Sequence, residues 1–222
     1  MEIHVYPFGP LQANLYVILF GTEALIIDPC VPYDALNLEG IKVRRIICTH
    51  AHYDHIVEAD NIRNRTGGVI LAYEDECEAI MDASKNGSSA FFSALSVAPP
   101  ICALRDGDTL TGGDLELETK EDFSIRVIHT PGHTKGSMCL LLTAPDIPGE
   151  IGYLFSGDTI FKGTVGRTDL GGSMPDMMRS VKMLSALPDD VIVLPGHGER
   201  TTIGHEKRNN PYFTDLGCDD TI

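Results

Sequence analysis

The chain has 222 residues, 43% hydrophobic and 22% charged, which supplies a globular core and excludes a disordered chain. A formal net charge of −15 leaves no basic footprint for nucleic acid or an anionic membrane surface, and suits either a solvated surface or a site that gathers cations. No apolar run approaches the roughly 20 residues that span a bilayer, and Met1-Glu2-Ile3-His4-Val5-Tyr6-Pro7 does not read as a secretory leader, so a cytoplasmic protein is expected.

From the N-terminus, short runs rich in Val, Ile and Leu alternate with Gly- and Asp-rich turns. Leu15–Leu19, Ala24–Ile27 and Val43–Cys48 read as strands buried on at least one face. His55–Arg65 carries Ile56, Ala59 and Ile62 at near-helical spacing and stops at Thr66-Gly67-Gly68, which predicts a helix. Val69–Ala72 predicts a strand, and Asp75–Asp82 and Ser88–Leu95 are helical candidates. Asp106-Gly107-Asp108 and Thr111-Gly112-Gly113-Asp114 read as two turns around Leu110, after which strands resume at Ile125–Ile128, Met138–Leu142 and Tyr153–Phe155. Met174–Leu187 predicts a helix with Met177, Val181, Leu184 and Leu187 on one face and Pro188 just beyond. Val191–Leu194 predicts a strand and Thr202–Asn209 a last helix, ended by Asn210-Pro211. With no internal repeat and no linker, this pattern predicts two similar halves packed as a single domain over residues 1–222. The six cysteines are scattered without a C-x-x-C pair, which fits a reducing compartment; Cys48 and Cys139, in apolar runs, read as core thiols.

Four of the apolar runs end alike. Ile46-Ile47-Cys48 leads into Thr49-His50-Ala51-His52-Tyr53-Asp54-His55, and Val127-Ile128 leads through His129 into Thr130-Pro131-Gly132-His133. Leu154-Phe155 leads into Ser156-Gly157-Asp158, and Ile192-Val193-Leu194 into Pro195-Gly196-His197-Gly198. Each strand thus delivers a His or Asp just past its C-terminal end, the edge where layered α/β structures build ligand sites. His50 and His52, two apart on extended backbone, point the same way; Asp54 and His55 follow where the chain turns into a helix and can face a second ion. Asp158 offers two oxygens and can bridge. Imidazole with carboxylate suits zinc, iron or manganese, and the absence of thiolates argues against a structural zinc. Three His and an Asp within His50–His55 are dense in a chain of eight His, whereas His4, His129 and His205 read as satisfied core residues, with His129 a candidate to support His133 from behind.

These motifs resemble the metallo-β-lactamase superfamily, and within it the small glyoxalase II-like hydrolases. The match also takes in Gly9-Pro10-Leu11-Gln12-Ala13-Asn14, Ile27-Asp28-Pro29, Ser156-Gly157-Asp158-Thr159 and Gly166-Arg167-Thr168-Asp169. The resemblance implies an αββα sandwich with the site at one edge. It implies that His50, His52 and His133 hold one ion, that Asp54, His55 and His197 hold a second, and that Asp158 bridges them. It further implies hydrolysis by a metal-bridging hydroxide, with two divalent ions per chain, zinc first and iron or manganese as alternatives. Asp54 is then the candidate to orient the hydroxide and accept its proton.

Asp158 stands where many secreted β-lactamases carry Cys, so antibiotic hydrolysis is not expected. His52 stands where the flavodiiron branch has Glu. Thioesterases of the glyoxalase II type, persulfide dioxygenases and lactonases remain. The dioxygenases continue the Gly-Arg-Thr-Asp segment with Phe-Gln, whereas Leu170-Gly171-Gly172-Ser173 follows here, and Thr201-Thr202-Ile203-Gly204 onward resembles the small glyoxalase II-like proteins. The expectation is therefore a dinuclear enzyme cleaving a small thioester such as S-D-lactoylglutathione, with a mononuclear iron persulfide dioxygenase or a lactonase of the same fold as alternatives. The larger glyoxalase II enzymes bind glutathione with a C-terminal helical domain that has no counterpart here. Arg167 is the one position matching a basic glutathione contact and is the candidate substrate-binding residue, with a structural pairing to Asp169 as the other reading. The expected partner is thus a small molecule, with the oligomeric state left open.

Overall fold

The computed structural model describes residues 1–91, 94–145 and 152–214. Six strands in chain order make the first sheet: β1 (Glu2–Phe8), β2 (Ala13–Phe20), β3 (Glu23–Ile27), β4 (Lys42–Cys48), β5 (Val69–Tyr73) and β6 (Cys102–Leu104). The first two pairings are antiparallel and the remaining three parallel. The second sheet runs from β7 (Thr109–Leu110) through β8 (Ser124–His129), β9 (Met138–Thr143) and β10 (Tyr153–Gly157). A small hairpin, β11 (Ile160–Phe161) and β12 (Thr164–Val165), then precedes its last two strands, β13 (Ile192–Pro195) and β14 (Thr201–Thr202). Here only β10 and β13 pair in parallel.

Side-chain alternation explains why the sheets stack. Along β2, Tyr16, Ile18 and Phe20 face the second sheet, while Leu15 and Val17 face the other way. The inner layer joins Leu25, Ile27, Ile47 and Leu71 to Ile125, Val127, Leu140, Leu142 and Phe155, with Tyr16 edge-on to Phe155 at 5.2 Å and Phe20 stacked on Phe123 at 4.5 Å. The outer face of the first sheet, Ile26, Ile46 and Cys48 among others, is covered by Ile56, Ala59, Ile62 and Ile80 from α1 (Tyr53–Ile56), α2 (Ala59–Thr66) and α3 (Cys77–Ile80). The outer face of the second, with Ile128, Cys139, Leu154 and Val193, is covered by α4 (Met174–Leu184), α5 (Ile203–Asn209) and α6 (Pro211–Thr214) through Met177, Val181, Leu184, Ile203 and Phe213. Helix, sheet, sheet, helix is the expected αββα sandwich.

All eight expected strands are present. The helix expected over His55–Arg65 is broken in two, because the Glu58 N–H is drawn to the Pro29 carbonyl at 2.9 Å, outside the helix. Its end is as expected: Gly67, at φ +74°, closes α2 by donating to the Arg63 carbonyl. Asp75–Asp82 forms a 3₁₀ turn followed by α3, and Ser88–Phe91 a 3₁₀ turn; residues 92–93 of that expected helix lie outside the described region. The Ser173 hydroxyl caps α4 by accepting from the Asp176 N–H, and α4 stops at Leu184, tightening into turns up to Leu187. Cys48 and Cys139 are buried, and the five described cysteines are free thiols; Cys218 lies outside the described residues.

Along one edge the sheets are joined by hydrogen bonds. The Met138 N–H donates to the Thr49 carbonyl at 3.0 Å and the Asn14 N–H to the Gly196 carbonyl at 2.7 Å. The Asn14 amide and the Tyr16 hydroxyl both donate to the Pro195 carbonyl, at 2.9 and 2.7 Å. This is the edge at which β3, β4, β8, β10 and β13 all end.

Candidate metal centre

That edge gathers the residues expected from sequence. His50 and His52 leave the end of β4, with Asp54 and His55 in the single turn α1; His133 follows β8, Asp158 follows β10 and His197 follows β13. His50, His52 and His133 form one set of nitrogens lying within 4.8 Å of one another, Asp54, His55 and His197 a second set of ligand atoms within the same limit, and His50, His55 and Asp158 a third that joins them. Asp158 lies between the first two sets: Oδ2 is 3.4 Å from His133 Nε2 and 3.5 Å from His197 Nε2, and Oδ1 is 3.4 Å from His55 Nε2.

The outer nitrogens of four of these rings are already committed. His55 Nδ1 donates to Asp28 Oδ2 at 3.0 Å, His133 Nδ1 to the Arg167 carbonyl at 2.7 Å, and His197 Nδ1 to the Leu11 carbonyl at 2.9 Å. His50 Nδ1 faces the Thr49 hydroxyl at 3.1 Å, and that hydroxyl donates onward to Asp28 Oδ2 at 2.9 Å, which leaves it an acceptor toward the ring. These acceptors fix each tautomer so that the lone pair points inward. Two such lone pairs then face each other, His55 Nε2 and His197 Nε2 at 3.1 Å, and His133 Nε2 meets His52 Nδ1 at 2.7 Å. His50 Nε2 and Asp158 Oδ1 are the two buried side-chain polar atoms without a hydrogen-bond partner among the described residues. Buried polar atoms otherwise find partners, so converging lone pairs and an orphaned carboxylate oxygen fit a cation, and the cluster is able to bind metal.

Glycines hold the space open. A Cβ on Gly196 would stand 2.2 Å from Asp158 Oδ1 and 2.8 Å from His55 Cε1. Gly132, at φ +148°, lets the loop before His133 pack on α4, where a Cβ would lie 2.5 Å from Met177 Cα.

Electrostatics follow burial and neighbours. Burial drives His50 well below its usual value and His52 down to about 4. Burial also pushes on His55, but the carboxylates of Asp158 and Asp28 overturn it and raise that ring to about 9; hydrogen bonds to Asp158 and Asp54 likewise raise His197 to about 10. In the metal-stripped protein, the stability from His55 and His197 is fully present below pH ~6.5 and is lost as pH rises through about 9 to 10. His50 and His52, held neutral, subtract stability as pH falls below ~6.5, where the unfolded chain takes up their protons. The melting temperature of the stripped protein is therefore expected to peak near pH 6.5 and fall toward pH 10, a decline that bound metal, in place of those protons, should flatten. A flat profile for the stripped protein would refute this assignment of charges.

Arg167 contributes twice. Its carbonyl holds His133, while its exposed guanidinium makes a bidentate pair with Asp169, both contacts at 2.6 Å. His129 does not stand behind His133: it stacks on Tyr73 at 4.3 Å and pairs with the Lys135 carbonyl. His4 is exposed on the edge strand beside Glu2 rather than in the core, and His205 is half-buried against Asn209. Three residues outside the expected ligand set support it. Asp28, at φ +52°, anchors Thr49 and His55; Asn14 ties the two sheets; Glu76, 2% exposed, is bonded to loops from both sheets. Asp28 follows the strand Ala24–Ile27 just as Asp158 follows its own, a signal present in the sequence; Glu76 has none.

A family model described as the metallo-beta-lactamase superfamily matches residues 8–197. The chain is similar to hydroxyacylglutathione hydrolase GloC of Haemophilus influenzae, at 29% identity over 96% of this chain and 98% of that protein. Among solved structures it is similar to the BLEG-1 B3 metallo-beta-lactamase, with TM-score 0.82, 34% identity, and 96% and 100% of the two chains covered. It is also similar to TTHA1623 in a di-iron-bound form, with TM-score 0.77, 30% identity, and 94% and 99% covered.

Proposed function

The chain belongs to the metallo-beta-lactamase superfamily, and from that premise we propose that it is a dinuclear metallohydrolase cleaving small acyl thioesters of the S-D-lactoylglutathione type. The observation that carries the proposal is the convergence on Asp158 of the inner nitrogens of His55, His133 and His197, whose outer nitrogens are engaged, an arrangement that cations satisfy without breaking a hydrogen bond. His50, His52 and His133 would hold one ion, Asp54, His55 and His197 the other, and Asp158 both. Bound there, the ions would acidify a shared water and polarise a substrate carbonyl.

The remaining work falls to the protein. Burial raises the Asp54 carboxyl, but the hydrogen bond from His197 and the field of His55 outweigh it and hold it below the ordinary value. Asp54 therefore serves best as an acceptor that orients the attacking water, with the proton taken from an oxygen already acidified. A thiol leaving group, with a pKa of about 8.5, departs as thiolate without a dedicated acid. The thioester reading draws on GloC, matched over nearly its full length. Zinc is the metal of first choice for this donor set, and the di-iron form of TTHA1623 makes iron its rival.

Purified protein reconstituted with zinc or iron is expected to bind two ions and to release free thiol from a panel of small thioesters. One ion per chain with oxygen uptake on glutathione persulfide would replace this reading with the dioxygenase. The likeness to BLEG-1 puts β-lactams in the same panel, and lactones test the third branch. No thiol release from any thioester would sink the proposal. Arg167→Ala is expected to raise KM several-fold with kcat little changed, through a lost contact to a substrate carboxylate, and to leave metal content intact because the carbonyl holds His133. Unchanged KM would assign the side chain to its pair with Asp169.

A further inference from the structure

Glu76 is a buried acid that the proposed mechanism does not use. It sits at the junction of the 3₁₀ turn after β5 and α3, 2% exposed, and its two oxygens are divided between the sheets. Oε2 accepts the Ala51 N–H at 2.6 Å, and Ala51 lies between His50 and His52. Oε1 accepts the Gly136 N–H at 2.8 Å, in the loop that carries His133. The contact is close enough to exclude a side chain at position 136: a Cβ there would stand 2.8 Å from Glu76 Cγ and 2.9 Å from Oε1. Asp28 holds one ring of each set, His55 directly and His50 through Thr49.

We propose that Glu76 is a positioning residue for the first ion: by clamping the His50–His52 loop to the His133 loop, it sets the separation of those three rings and hence the affinity of that position alone. The second position, made by Asp54, His55 and His197, is anchored by Asp28 and the Leu11 carbonyl and does not depend on the clamp. One residue lying between two ligands and another three beyond a third are both held by one carboxylate, so its loss leaves the two loops joined only farther from the rings, by the Met138 N–H to the Thr49 carbonyl. Supporting groups of this kind typically change metal affinity by roughly 10–100-fold. The inference rests on the two-ion reading above and not on the thioester.

The test is titration of metal-stripped wild type and Glu76→Gln with zinc alone, read by calorimetry and by the ¹⁵N shifts of the histidine rings. Gln keeps the shape but turns an NH₂ group toward one of the two amide donors. One binding step is expected to weaken by roughly 10–100-fold, with the shifts of His52 and His133 moving and those of His55 and His197 unchanged. Gly136→Ala, which presses on the clamp from the other side, is expected to weaken the same step and serves if Glu76→Gln does not fold. Equal weakening of both steps, or a lower melting temperature with both steps intact, would overturn the proposal by making Glu76 merely structural. Absence of two steps in wild type would overturn the two-ion reading instead, and this inference with it.

Discussion

Asp158→Asn is expected to lower thioester turnover by roughly 10³-fold or more, because losing a shared anion removes about 4 kcal/mol of charge stabilisation. The carboxylate lies within 3.4–3.5 Å of His55, His133 and His197. Burial opposes its charge, yet the surrounding imidazoles, His55 foremost, hold its carboxyl well below the ordinary value, so it meets a cation already ionised. An amide offers one oxygen and no charge, and can satisfy at most one of two neighbours. Metal content should fall from two ions to one or fewer, with far-UV circular dichroism unchanged because none of the sandwich's apolar layers depends on this side chain. A variant that kept both ions and near-normal turnover would remove Asp158 from the shared position.

Gly196→Ala is expected to be nearly as damaging, although it adds only one methyl group. That group would be built 2.2 Å from Asp158 Oδ1, so either the carboxylate or the loop must move. The loop is held on both sides, by the Gly196 N–H to the Gly157 carbonyl at 2.7 Å and by the Asn14 N–H to the Gly196 carbonyl, also at 2.7 Å. Overpacking of this kind costs roughly 1–3 kcal/mol, or about 10–100-fold in metal affinity if it falls on the centre. Gly198→Ala is the control: its φ of +74° makes any side chain strained, but a Cβ there meets nothing within 4 Å. The control should lose about 1 kcal/mol of stability and keep its metal. Equal metal loss in both variants would show that backbone strain, not the crowding of Asp158, is at work.

The site was more legible in the sequence than its supports, for a physical reason. The proposed ligands sit immediately after apolar runs, and the strand-then-His or strand-then-Asp pattern survives in one dimension. Supports act across distance. Glu76 meets Gly136 60 residues away, and Asn14 meets Pro195 at a separation of 181, so no local pattern carries either contact. The strands without a legible sequence pattern lie at sheet edges. β1 is largely exposed and contains Pro7, which an edge tolerates, and β14 is two residues long. Val57 and Glu58 looked helical because the hydrophobic spacing continues through them; what interrupts the helix is a carbonyl, Pro29, brought in by tertiary structure.

The hydrogen bonds that join the two sheets also shape how the molecule can move. Facing apolar layers attract without direction and can slip by small amounts. A hydrogen bond between an amide and a carbonyl has a narrow range of length and angle. Met138 to Thr49, Asn14 to Gly196, Tyr16 to Pro195 and both arms of Glu76 lie along the single edge where the strands end. The opposite end is tied as well, by the Glu118 N–H to Glu23 and by Arg45 to the Asp114 carbonyl at 3.3 Å, so the layers are pinned at both ends rather than hinged at one. Slippage between the layers is thus restricted at the edge where His50, His133, Asp158 and His197 stand.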